Sequence, residues 1–122
     1  MDVLLGIVGT DDSLEALHRT VERVKEVGDD LTVAILDDPE SERSMDEIEE
    51  AVRESLTAAE CEATVRRVQG NPGSRLVEIA EVEGFDRIVL GGGQQSPMGK
   101  IRLGPTTEFV ILNSHVTITL IR

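Results

Sequence analysis

Five short apolar runs alternate along the chain with four stretches of helical periodicity, and nothing else in the sequence constrains the fold as strongly. The runs are Val3 to Val8, Leu31 to Leu36, Ala63 to Val68, Asp86 to Leu90 and Val116 to Ile121. Each has the length of a strand, and the first is nearly unbroken, the pattern of a strand buried on both faces. Between them, Leu14, Leu17, Val21, Val24 and Val27 form one stripe that ends at Gly28. Met45, Ile48, Val52, Leu56 and Ala59 line one face of a helix from Ser44 to Glu60. Leu76, Ile79 and Ala80 face inward from Ser74 to Glu83, and a last helix runs from about Pro105 to Asn113. Strands that alternate with helices need crossover connections, hence a mainly parallel sheet with helices on both faces. The chain shows no repeat, linker or low-complexity tract, so residues 1–122 read as a single doubly wound α/β domain.

Local chemistry marks the ends of these elements. Asp12 followed by Glu15 has the character of an N-cap and third helical position for the first helix. Asn71-Pro72-Gly73 turns the chain ahead of the third. Arg66 and Arg67 sit inside the third strand, which places that strand at a sheet edge.

With aromatic residues at only 2%, the core must be aliphatic. No apolar run is long enough to span a membrane as a helix, and Met1-Asp2-Val3-Leu4-Leu5 reads as a first strand and not as a signal peptide. A lone Cys61 cannot form an internal disulfide and suits a reducing cytoplasm. The 24 acidic against 12 basic residues give a formal net charge of -12, which repels phosphate backbones and argues against a nucleic-acid partner. Lys25 and Lys100 are the only lysines; acid-rich, lysine-poor composition fits a salt-rich cytoplasm where counterions screen self-repulsion.

The stretch with most chemical content is Ile88-Val89-Leu90-Gly91-Gly92-Gly93-Gln94, continuing through Gly99-Lys100 to Leu103-Gly104-Pro105-Thr106-Thr107. Strand, glycine-rich loop and helix N-terminus are the parts from which α/β proteins build anion sites. Adjacent glycines let backbone approach a ligand without a Cβ in the way.

These residues, with Val8-Gly9-Thr10-Asp11-Asp12-Ser13-Leu14-Glu15-Ala16-Leu17, resemble the universal stress protein family over essentially the whole chain. The resemblance implies a sheet ordered 3-2-1-4-5 and a nucleotide site after the fourth strand. Nucleotide-binding members carry Gly-x2-Gly-x9-Gly-[Ser/Thr]; here the same spacing reads Gly91-x2-Gln94-x9-Gly104-Pro105. Carried over residue by residue, Gly91, Gly92, Gly93, Gly104, Thr106 and Lys100 are the residues expected to hold a nucleotide. Gln94 stands where the backbone would come nearest the phosphates. Pro105 stands where a hydroxyl and an N–H would meet them, and proline has no N–H. Val8 stands where many members have an aspartate on the adenosine.

Electrostatics points the same way. Loops at the carboxyl ends of the strands bring Asp11, Asp12, Asp37 and Asp38 to the mouth, against Lys100 and Arg102. Each lost phosphate hydrogen bond costs about 1–3 kcal/mol, so losing two moves a micromolar site towards millimolar. ATP is therefore expected to bind weakly or not at all. Genuine ATP binding by the residues above, and slow ATP hydrolysis, are the alternatives. For hydrolysis the sequence offers no base, arginine finger or magnesium motif.

No catalytic set emerges. His18 reads as a surface or boundary residue, and His115 has no nucleophile or acid at catalytic spacing. Ser13 lacks a nucleophile elbow, Cys61 reads as a small buried hydrophobe, and Asp11 and Asp12 as helix caps and not as a metal site. The last strand alternates Val116, Ile118 and Leu120 with Thr117, Thr119 and Ile121 and carries no proline or charge to guard its edge. Pairing of Val116 to Ile121 with the same strand of a second copy, or packing against it, in a two-fold dimer, is expected. The chain is thus expected to be a cytoplasmic homodimeric binding or signalling domain for stress conditions, and not an enzyme.

Overall fold

A computed structural model describes residues 1–39, 41, 43–91 and 104–121, with the side chains of Asp11 and Asp12 outside that set. The described residues form β1 (Asp2–Ile7), α1 (Asp11–Val27), β2 (Asp30–Leu36), α2 (Met45–Ala58), β3 (Thr64–Val68), α3 (Pro72–Val82), β4 (Arg87–Gly91), α4 (Pro105–Asn113) and β5 (Thr117–Ile121). The strands make one parallel sheet in the order β3-β2-β1-β4-β5, as the sequence and the resemblance lead one to expect.

Strand alternation sorts the core into two layers. Val3, Leu5 and Ile7 join Leu17, Val21 and Val24 of α1 and Ile48, Val52 and Leu56 of α2 on one face. Leu4, Ile88 and Leu90 join Leu76, Ile79 and Ala80 of α3 and Val110 of α4 on the other. Because β1 feeds both layers, four of its residues between Val3 and Ile7 are no more than 3% exposed. Two strands, β3 and β5, are left at the edges.

Several element ends differ from expectation. Thr10, and not Asp12, caps α1: its Oγ1 accepts the Ser13 N–H at 3.2 Å, and the helix already begins at Asp11. A hydroxyl two residues earlier takes the capping role, so the helix starts ahead of the aspartate to which the sequence pattern assigned the cap. Likewise α3 starts at Pro72, because Asn71 Oδ1 accepts the Ser74 N–H at 3.0 Å and the fixed φ of proline suits the first helical position. Val27, expected on the buried stripe, is 51% exposed, since α1 ends beside it at Gly28. Cys61, expected to be buried, is half-buried beyond the end of α2, packed against the α1–α2 core layer.

Arg66 and Arg67 guard the β3 edge as expected, and alternation sends them to opposite faces. Arg66 Nη1 bridges both carboxylate oxygens of Glu83, at 2.8 and 2.9 Å. Arg67 pairs with Asp46 and Glu49 of α2.

Candidate functional site

Chain direction places every β–α loop at the carboxyl ends of the parallel strands. A cleft of about 330 Å³ opens there, between the first turns of α3 and α4. Asp38 and Pro39 of the β2–α2 loop form its lip, Asn71, Pro72 and Gly73 one wall, and Pro105, Thr106 and Phe109 the other.

The two walls are built alike and finished differently. Each helix opens with a proline after an extended cap residue, Asn71 at ψ 118° and Gly104 at ψ 163°. Asn71 caps its own helix through its side chain, whereas Gly104 offers none, so α4 begins without a side-chain cap. Pro105 has no N–H, which leaves Thr106 and Thr107 as the first amides without an intrahelical acceptor. Thr106 is half-buried against the cleft and Thr107 is buried. Gly73 brings the walls together: a Cβ on it would lie 2.9 Å from Phe109 Cδ1 and 3.0 Å from Phe109 Cβ. Only a residue without that atom lets the two helices meet at this spacing.

Beside the cleft the β1–α1 turn is closed by its own neighbours. The Val8 N–H donates to Ser13 Oγ at 3.2 Å. Buried Gly9 lies beneath Ser41, whose Oγ would be 1.9 Å from a Cβ there, and its carbonyl accepts from Arg43 Nη1 at 2.9 Å. The β2–α2 loop thus lies across the end of β1, held there by the Arg43 guanidinium, while the Ser41 hydroxyl packs over Gly9 and bonds Arg43 within the loop. Asp38 lies half-buried at the lip with exposed Asp37 beside it, while the side chains of Asp11 and Asp12, also expected at the mouth, lie outside the described residues.

Of the residues expected to hold a nucleotide, Gly91 closes β4 opposite Ile121, Gly104 caps α4 and Thr106 lines the cleft. Gly92, Gly93 and Lys100, together with Gln94 and Arg102, lie outside the described residues. Sequence reasoning missed Asn71, Pro72 and Gly73 as a wall of the cleft. The signal was present, since Asn71-Pro72 and Gly104-Pro105 are the same cap–proline opening at two places in the chain.

Elsewhere, no group of three or more His, Cys, Asp or Glu among the described residues is placed to hold a metal. No helix among them is long and apolar enough to cross a membrane. His115 is exposed and its backbone N–H donates to Glu81 Oε1 at 3.2 Å. His18 is exposed, as expected, yet its Nε2 lies 3.2 Å from Ser55 Oγ across the α1–α2 contact. That pair, 37 residues apart, left no trace in local spacing.

Comparison with known proteins extends these findings. Among solved structures, universal stress protein UspA from Lactobacillus plantarum is 18% identical, with TM-score 0.79 over 100% of this chain and 97% of that one. A universal stress protein in complex with cAMP is 22% identical, with TM-score 0.77 over 100% and 96%. The universal stress protein from Archaeoglobus fulgidus in complex with dAMP is 20% identical, with TM-score 0.66 over 100% and 98%. At these identities the likeness speaks for the fold alone. No curated protein matches the sequence. The model of the universal stress protein family matches residues 1–122, and the chain belongs to that family.

Proposed function

We propose that this chain is a binding or signalling domain of the stress response whose nucleotide site is altered, so that ATP is held weakly or not at all. The observation that carries this reading is the start of α4. Pro105 occupies the first helical position after an uncapped Gly104, and so takes away one backbone donor where a phosphate would dock. The carboxylates of Asp37 and Asp38 at the mouth add repulsion against a triphosphate. On this reading Gly91, Gly92, Gly93, Gly104, Thr106 and Lys100 are what remains of the site. The domain works without catalysing a reaction, in the cytoplasm, as a homodimer joined through Val116 to Ile121, and its acidic surface is suited to high salt.

A second reading, genuine nucleotide binding, is favoured by one feature: the amides of Thr106 and Thr107 are without intrahelical acceptors beside a cleft of about 330 Å³. Two structurally similar universal stress proteins are complexes with cAMP and with dAMP. Thermal melts with and without Mg·ATP separate the readings, because a ligand of the native state alone must raise the midpoint. An unchanged midpoint at millimolar Mg·ATP is expected; a rise at micromolar concentration favours the second reading. Phosphate release then tests hydrolysis.

A further inference from the structure

We propose that Ser55 is a reactive serine, activated by His18, that accepts an acyl group from an activated ester. The pair lines a cleft of about 320 Å³ between α1 and α2, remote in sequence from the glycine-rich stretch. Ser55 is half-buried in α2 and His18 exposed on α1, with His18 Nε2 3.2 Å from Ser55 Oγ. A helical serine or threonine commonly turns its hydroxyl back onto its own helix, as Thr20 does here onto the Ala16 carbonyl at 2.7 Å. Ser55 instead meets the imidazole of the neighbouring helix. A nucleophile and a base within hydrogen-bond reach are the core of an activated hydroxyl.

The rest of the cleft suits the same chemistry. Exposed Glu22 lines it one turn along α1 from His18 and adds a carboxylate to its rim. Val21, Ala58 and Ala59 supply small apolar walls for an acyl chain. Lys25 donates to the Ala59 carbonyl at the end of α2, adding a cation beside those walls. In the step itself, Ser55 Oγ attacks the carbonyl carbon of the ester while His18 Nε2 takes the hydroxyl proton. The new Oγ–C bond forms, the bond to the leaving alcohol breaks, and the imidazolium returns the proton to the departing oxygen. No net oxidation occurs. Ser55 stands near the C-terminal end of α2, where a helix presents carbonyls and not amides to a developing oxyanion. The expected outcome is one acylation per chain and not turnover.

The test uses p-nitrophenyl acetate on the intact protein, following p-nitrophenolate release and locating the acetyl group by peptide mapping. One equivalent on Ser55 is expected, faster than on exposed Ser74 by about a hundredfold, the scale of general-base assistance. His18→Gln should remove that advantage, Ser55→Ala should abolish the burst, and added imidazole should restore acylation in His18→Ala. The rescue by imidazole distinguishes a lost base from a disturbed fold. Ser55 acylation no faster than that of Ser74, or unchanged in His18→Gln, overturns the proposal. So does an acetyl group found on His18 or Lys25 and not on Ser55.

Discussion

Arg67 Nε, at the β3 edge, donates to Glu49 Oε1 in α2 at 2.9 Å, and so fastens the outermost strand to a helix of the α1–α2 layer. Arg67 also binds Asp46, and Glu49 also accepts from Arg53 Nε at 3.2 Å. Hydrogen bonds from Arg67 first, and from Arg53 second, hold the Glu49 carboxyl below the usual glutamate range. A carboxyl whose folded value is depressed contributes stability above its unfolded value, and that contribution is lost as pH falls through the folded value. Urea midpoints of the native chain should therefore decline on acidification through and below the ordinary glutamate range. Glu49→Gln should decline less steeply. The network is exposed, so molar salt should shrink the difference between the two.

Gly73 should tolerate no side chain. Alanine there would place its Cβ 3.0 Å from Phe109 Cβ, an atom close to the backbone with little freedom to retreat. The better helix propensity of alanine is outweighed by the overpacking, and Gly73→Ala should destabilise by about 1–2 kcal/mol in urea denaturation. A cleft narrowed at its base should also lose whatever nucleotide affinity it has.

If the altered site is what weakens ATP binding, restoring it should create binding. Gln94→Gly with Pro105→Ser returns a close backbone approach and an N–H with a hydroxyl at the start of α4. Calorimetry should then show ATP affinity at least about tenfold tighter than in the native chain, the equivalent of one recovered hydrogen bond. Unchanged heats in the double variant would sink the account.

The dimer proposal rests on β5, an edge strand free of internal charge. Its apolar side, Ile118 and Leu120, packs half-buried against the α3–α4 layer, while Ile111 and Leu112 of α4 are 40% and 73% exposed. Thr117→Lys with Thr119→Lys charges the edge and should shift light scattering from dimer to monomer, raising the dissociation constant by tenfold or more. A native chain that is monomeric at high salt would refute the pairing.

Much of this protein is legible in its sequence, for a physical reason. Periodicity and caps are local: the apolar alternation of β1, the stripe of α2, and proline at Pro105 each act within a turn or two, so fold class and element order follow from them. The edge position of β3 was readable too, because Arg66 and Arg67 suit only a strand with one open side. Tertiary structure alone decided which remote groups meet. Gly73 against Phe109, Arg67 on Glu49 and His18 on Ser55 each depend on sheet register and helix packing, which bring together residues that no spacing rule connects. The cleft belongs to that second kind: its α4 wall stood out as a glycine-rich motif, while its α3 wall became a wall only when two parallel helices were packed side by side on one face of the sheet.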